Sequence, residues 1–398
     1  MRTIALLSAL LISYFVYGFY LSQIDFSVVT APEETRQTPG SFKYKGVLNV
    51  LSSRSQGSAR PEGIIMSAKN AGLDYVVFTD LPPGDNSQLL KGYSGTTVLM
   101  DAQRVSYLDS RMFFLTANGI DEGMSESELQ VKVTDYVTQI KPLPNFVSIL
   151  SLPLQANFPT ENFPPGVHGI EVVNVREISM KAWQESKLNV IWSLLIYPFN
   201  YKLAFLRLFN EPDEHWAYFD RVAVERQIVA FGGSEASARA FPWSNFLLRF
   251  PSYQRIFEMM SQHVILRSEL TGIYSDDFEK ILEAFIKGHF FICMDILGDP
   301  QGFSVVMKDD KKKYLMGDKV EFKKNLLMEF SLPEPKTFFE VILWRNGEKY
   351  KIFNTHQFDL PIKEPGVYRL QVRVSPYLPL PDAKKWMTWI YTNPFFVE

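Results

Sequence analysis

From Thr3 to Ser22 the chain carries no charged residue and is dense in Leu, Ile, Phe and Tyr. About 20 such residues, coiled as a helix, match the thickness of a bilayer core. A lone segment in that solvent must satisfy its own backbone polar groups, which a helix does. Arg2 precedes the stretch, while Asp25, Glu33 and Glu34 follow it. That charge order favours an amino terminus in the cytoplasm and the body of the chain outside. The alternative is a cleaved signal peptide using Val29 and Ala31. Pro32 follows them at once, however, and the apolar run is long for a signal core. With no cysteine nearby, a lipoprotein anchor is ruled out. The expectation is a single-pass anchor over 1–22 in a bacterial-type inner membrane, with the main body periplasmic or otherwise extracytoplasmic.

A length of 398 residues is too great for one ordinary core and predicts two folded units. The net charge of -3 and the absence of a long Lys/Arg run exclude a field that would gather nucleic acid. Lys311, Lys312 and Lys313 read as a solvated turn. Cys293 is the only cysteine, which excludes an intramolecular disulfide and a cysteine-based zinc site. It reads as a small buried hydrophobe.

Residues 23–41, with Pro32 and Pro39, read as a linker. Val47 to Leu51 is then a short apolar run suited to a buried strand. Pro61 stands at a first helical position, Ile64, Ile65 and Ala68 share a face, and Gly72 ends the helix. Tyr75 to Phe78 is a second strand, so this region is a βαβ unit with parallel strands. Phe146 to Leu150, Gly169 to Val173 and Gln227 to Phe231 continue the pattern. Phe278, Ile281, Leu282, Phe285 and Ile286 mark one face of a late helix, with Asp276 and Asp277 in its first turn and Gly288 after it. Beyond about residue 300 the character changes. Val341 to Trp344 and Lys349 to Phe353 flank Asn346-Gly347, a strong hairpin signal. Val367, Leu370, Val372 and Val374 largely alternate with polar neighbours, as in an antiparallel β unit.

The stretch Gly46-Val47-Leu48-Asn49-Val50-Leu51-Ser52, then Ser55-Gln56-Gly57, then Gly72-Leu73-Asp74 through Thr79-Asp80-Leu81, resembles the PHP (polymerase and histidinol phosphatase) family. Gly169-Ile170-Glu171-Val172-Val173-Asn174 and Gly232-Gly233-Ser234-Glu235-Ala236-Ser237 extend the likeness. The run from His263 through Thr271-Gly272 to Lys287-Gly288, and the closing Trp389-Ile390-Tyr391-Thr392-Asn393-Pro394, resemble its membrane-associated branch. The resemblance implies an α/β fold: a distorted (β/α)7 barrel over 42–300, followed over 301–398 by a small antiparallel β-sandwich-like domain. It also implies a site at the carboxyl ends of the strands, where barrel enzymes place their chemistry. Active members hold metal ions there through His, Asp and Glu, and the metals activate a water and neutralise phosphoryl charge.

Here the ligand positions have changed. Asn49 and Leu51 stand for the histidines of H-x-H, Gln56 for the aspartate of S-D-G, and Leu81 for the histidine of T-D-H. Asp121 stands for a glutamate, Leu152 for the histidine before a proline, and Glu235 and Ser237 replace the aspartate and histidine of G-S-D-A-H. Leucine offers no lone pair and an amide is a poor ligand beside imidazole or carboxylate. Neither metal nor another cofactor is therefore expected. The five histidines show no H-x-H or H-x-x-x-H spacing; His168, before the Gly169–Val173 strand, lies at the rim away from chemistry. Arg54, Arg60 and Arg239 lie near loops that would carry ligands, and guanidinium suits phosphate. The resulting expectation is a degenerate, non-catalytic PHP-like binding or scaffolding protein, held to a membrane and taking an unknown small-molecule or protein ligand. One alternative is a metal-dependent phosphoesterase keeping one divalent ion through Asp80, Asp121 and Glu235. Another is a structural protein that binds partners through its β domain.

Overall fold

The computed structural model describes residues 2–29, 41–80, 90–107, 109–116, 126–138, 145–154, 158–239, 250–382 and 384–398. The uncharged stretch forms a single helix, Arg2–Ser22, long and apolar enough to cross a membrane. Most of its large side chains, including Leu6, Leu10 and Phe19, are more than half exposed, while Leu21 near its end is buried. The last turns meet the body. Tyr14 Oη donates to the Leu195 carbonyl at 2.7 Å, Tyr17 stacks on Trp192, and Gly18 lies against the Phe199 ring. A Cβ on Gly18 would come within 2.6 Å of that ring.

Residues 23–29, expected as linker, are packed rather than loose. Phe26, Val28 and Val29 are buried in the largest core. Val28 N–H donates to Leu297 O at 2.6 Å, and Lys336 N–H to Val28 O at 2.7 Å. Residues 30–40 of that expected linker lie outside the described residues.

The next elements follow the expected βαβ logic. Strands Phe42–Val50 and Tyr75–Phe78 pair in parallel, with helix Pro61–Asn70 between them and Gly72 at φ 67° on the exit. Thr97–Asp101 adds a third parallel strand. The chain then turns through the hairpin Gln103–Tyr107/Ser110–Thr116 into a second sheet. There Phe146–Ser151, Gly169–Asn174 and Val229–Gly233 are parallel to one another. These strands are apolar runs because both of their faces are covered. The two sheets meet at a parallel bridge between Val50 and Ala236. Leu48, Val77 and Met100 of one sheet share a core with Phe113, Ile149 and Phe231 of the other. The carboxyl ends of the six parallel strands therefore lie on one rim. The architecture is mixed α/β with two abutting sheets, and its hydrogen bonds do not run round a single seven-strand ring among the described residues.

The reason lies in the last strands of this half. Ser261–Leu266 runs antiparallel to Phe42–Val50, and Phe290–Cys293 antiparallel to it in turn. From there the sheet continues into the carboxyl-terminal third, where Phe291 pairs with Thr392 and Cys293 with Ile390. The division expected near residue 300 is thus crossed by continuous hydrogen bonding. Fully buried Trp389 donates from Nε1 to Gly298 O at 2.9 Å. Farther out, Phe338–Arg345 and Glu348–Phe353 form the expected hairpin, with Asn346 at φ 52° and Gly347 at φ 79°. An antiparallel sheet of Lys313–Tyr314, Ser304–Lys308, Leu327–Ser331 and Gln357–Pro361 completes this part. The late helix is Tyr274–Lys287, capped by Gly288 in the left-handed region.

Candidate functional site

The rim formed by the strands' carboxyl ends gathers buried polar residues that the sheets deliver from four directions. Asn49, 1 % exposed, is the last residue but one of the first strand and donates from Nδ2 to Glu171 Oε1 at 3.0 Å. Its Oδ1 accepts from Thr79 Oγ1 at 2.9 Å. Glu171 sits within the strand Gly169–Asn174, facing inward, and accepts also from Ser151 Oγ and from Asn174 Nδ2 at 3.2 Å. Burial pushes its carboxyl up to about 7, against the lowering effect of the Ser151 hydrogen bond. Gly233 on the adjacent strand is required by this residue, since a Cβ there would fall 1.4 Å from Glu171 Oε1.

Glu235 is held differently. Arg111 Nη1 donates to its Oε1 at 2.6 Å, Arg176 Nη1 to the same oxygen at 3.1 Å, and Asn174 Nδ2 to Oε2 at 2.9 Å. Burial acts to raise its pKa, but the two guanidinium groups outweigh it and the carboxyl ends below its ordinary value. Arg111 opens the strand Ser110–Thr116, and Arg176 lies in the first turn of helix Val175–Glu185, whose start Asn174 caps. A cavity of about 70 Å³ adjoins Glu235, lined by Arg176, Phe205, Ser237, Arg239 and Met259 among others.

The other expected site residues are spread along the rim. Asp80 is buried and saturated: Ser52 N–H donates to Oδ1 at 2.7 Å and Ser52 Oγ to Oδ2 at 2.6 Å, with Ser55 Oγ as a third donor. Leu51 and Leu152 are buried, Gln56 is exposed, and the Ser237 carbonyl accepts from Ser58 N–H and Tyr253 Oη. Leu81 and Asp121 lie outside the described residues. Of the arginines expected to bind phosphate, Arg54 lies 3.5 Å from Asp101, and Arg239 Nη2 is 3.4 Å from Gly57 O. Arg60 is exposed at the start of helix Pro61–Asn70. Burial raises the Asp101 carboxyl to about 6. Of these three, Arg239 lines the cavity beside Glu235. The guanidinium groups bonded to Glu235, those of Arg111 and Arg176, went unremarked in the sequence, and Glu171 entered only as part of a matched stretch. A signal for Glu171 existed: a lone acid inside the apolar run Gly169–Val173 is unusual unless paired.

Asn49, Leu152 and Glu235 have φ values of 67°, 55° and 40°. Each stands where the resemblance places a metal ligand. Such backbone costs about 1–3 kcal/mol per residue and persists only where the surroundings enforce it. The inward-aiming backbone is present without the imidazoles.

Among the described residues the donor set does not fit a divalent cluster. Glu235 is occupied by arginines, Glu171 by amide and hydroxyl donors, Asp80 by serines, and no histidine contacts any of the three. The histidines serve elsewhere. His168 is half-buried, 2.9 Å from Ser148 Oγ, with desolvation lowering its pKa to about 4. His263, Cys293 and Asp295 are close enough to share an ion, but Lys45 Nζ already lies 3.0 Å from Asp295 Oδ2. Burial raises the Cys293 thiol well above its ordinary value.

No family model and no curated protein matches the chain. Among solved structures, it is similar to a two-domain protein from Bacteroides vulgatus containing a predicted PHP-like metal-dependent phosphoesterase. That likeness covers 90 % of this chain and 99 % of the other, at 9 % identity and a TM-score of 0.40. A weaker likeness, to an endo-beta-1,4-mannanase from Thermotoga petrophila, covers 90 % and 98 % at 10 % identity and a TM-score of 0.19.

Proposed function

We propose that the chain is a non-catalytic binding protein, held at a membrane by Arg2–Ser22, whose binding site is the polar rim around Glu171 and Glu235. The observation that carries this reading is the occupation of Glu235 by Arg111 and Arg176. A guanidinium supplies positive charge where the resemblance places metal, but it has no open coordination position and cannot generate a metal-bound hydroxide. The phosphoesterase alternative needs Glu235 as a ligand, and two ion pairs would have to break first.

Membrane attachment has support beyond the helix itself. Helix Lys187–Ile196 packs beside the last turns of Arg2–Ser22 and leaves Leu188 80 % exposed, with Ile191 and Leu195 nearly half exposed. Leu380, whose carbonyl accepts from Tyr17 Oη, is also 80 % exposed. Apolar side chains at the level where a spanning helix leaves the body suit the headgroup boundary of a bilayer. The charge order around the helix favours an extracytoplasmic body.

Purified full-length protein in detergent micelles tests the non-catalytic reading. Metal analysis is expected to find substoichiometric Zn, Mn and Fe, and a phosphoester panel is expected to show no chelator-sensitive hydrolysis. Stoichiometric metal with hydrolysis abolished by Glu235→Ala would overturn it.

A further inference from the structure

The body of the protein grips the apolar helix Arg2–Ser22 well before that helix ends. Tyr14 donates to the Leu195 carbonyl and stands edge-on to Phe199, with ring centroids 5.1 Å apart, and Tyr17 donates to the Leu380 carbonyl. Tyr14 precedes the end of the helix by about two turns, or about 12 Å along its axis. With 21 residues the helix is about 30 Å long, the same as the hydrocarbon core of a bilayer. As a membrane span it has no stretch left over to act as a stalk. Whatever touches Tyr14 and Tyr17 therefore sits at the depth of the bilayer boundary.

The surface at that depth is apolar on both sides of the helix. Leu188, Ile191 and Leu195 lie on one side. On the other is the connection between strands Gly366–Ser375 and Met387–Thr392, which exposes Leu380, Trp386 and, at 71 %, Tyr377. Phe338, 72 % exposed, opens the neighbouring strand and pairs with Ser375, where that connection begins. Two charges of the connection turn inward: Asp382 pairs with Arg207, and Lys385 Nζ donates to Phe209 O. Lys384 stays outside, 5.3 Å from the centre of the Phe338 ring, and pairs with no carboxylate among the described residues. Phe338 and Trp344 share one face of their strand. At the Trp344 end, the paired Arg369 is bonded to Asp220 of helix Asp213–Glu225. That face is thus roofed by protein at one end and bare at the end beside the apolar helix.

We infer that Phe338, Tyr377, Leu380 and Trp386 form a second membrane contact, seated in the headgroup layer of an anionic phospholipid bilayer, with Lys384 against the headgroups. The inference rests on the reading of Arg2–Ser22 as the anchor, and adds that the carboxyl-terminal third itself binds lipid. Aromatic rings with a polar edge favour this layer. A lysine favours it too when its stem lies along apolar surface and its ammonium reaches the lipid charges. Contacts on both sides of the helix hold the body against the bilayer in one orientation.

Spin labelling of the full-length protein in lipid nanodiscs tests this. Cys293 is buried, so Tyr377→Cys and, as an aqueous reference on the distal hairpin, Glu348→Cys each accept one nitroxide. The ratio of oxygen to nickel-chelate collisions at 377 is expected to be at least threefold that at 348. It should fall when phosphatidylglycerol is left out of phosphatidylcholine discs, and when Lys384→Glu is added. Leu380→Cys carries the same test if Tyr377→Cys fails to fold. Equal ratios at 377 and 348, in discs that retain the protein, would overturn the lipid contact and leave the anchor standing. Few collisions with either reagent at 377 would mean that a second copy of the chain covers the patch, which overturns the lipid contact as well. A ratio indifferent to both phosphatidylglycerol and Lys384→Glu would overturn anionic headgroups as the partner. Protein that separates from the discs would overturn the anchor, and this contact with it.

Discussion

Arg111 Nη1 lies 2.6 Å from Glu235 Oε1, joining the entry of one sheet strand to a residue 124 positions later on the loop after another. Arg176 shares that oxygen, so Glu235 is the counter-ion of two guanidinium groups. Glu235→Gln leaves both cations, and Arg104 beside them, uncompensated. Removing one partner of a fully buried pair costs about 3–5 kcal/mol, and the one-third exposure of the two arginines reduces this to about 2 kcal/mol. Urea unfolding of the variant measures it. An unchanged midpoint would show that the pairs contribute nothing to stability.

Glu171 predicts a pH dependence of known sign. Its folded pKa is raised to about 7 from an ordinary carboxyl value, so the folded chain holds a proton that the unfolded chain releases. The stability linked to this residue is greatest in acid and declines as pH rises from about 4.5 through about 7. Glu171→Gln removes that decline. Relative to wild type, the variant should gain on the order of 2–3 kcal/mol between pH 5 and pH 8. Unfolding curves at three pH values give the difference, and a flat difference would rule out titration of Glu171 in this range.

Leu188 tests the membrane-facing surface. Cys293 is fully buried, so Leu188→Cys gives a protein in which an environment-sensitive maleimide dye labels one exposed position. In lipid nanodiscs the dye at 188 should be blue-shifted and quenched by lipids carrying a spin label near the headgroup. Emission at the fully aqueous wavelength, with no quenching, would place this helix away from the bilayer.

Asp220 and Arg369 link the α/β half to the carboxyl-terminal third. Arg369 Nε and Nη2 donate to the two Asp220 oxygens at 2.7 and 2.6 Å, and both side chains are almost wholly buried. Asp220→Asn should cost about 3–5 kcal/mol because Arg369 keeps its charge without a counter-ion. With a sheet running through both parts, thermal unfolding should remain a single transition at a lower midpoint. Two separated transitions would show that the parts unfold independently.

Features set by neighbouring residues could be read directly from the chain. The apolar run became helix Arg2–Ser22, Asn346-Gly347 became a tight hairpin, and Pro61 and Gly288 bound their helices. Each depends on backbone preferences and periodicity within a few residues, which carry over unchanged into the fold. Asn49, Leu152 and Glu235 could likewise be singled out, and Asn49 and Glu235 do converge around Asn174 and Glu171. What only the tertiary structure decided was the company they keep. Arg104 and Arg111 lie on a strand hairpin whose charges look, in sequence, like a solvated edge. Arg176 looks like an ordinary first-turn residue, while Arg54, Arg60 and Arg239 seemed better placed. Which arginines meet depends on sheet register and on the abutment at Val50 and Ala236. The hairpin register is local, but the abutment joins segments more than 100 residues apart, and local sequence carries no record of such long-range pairing.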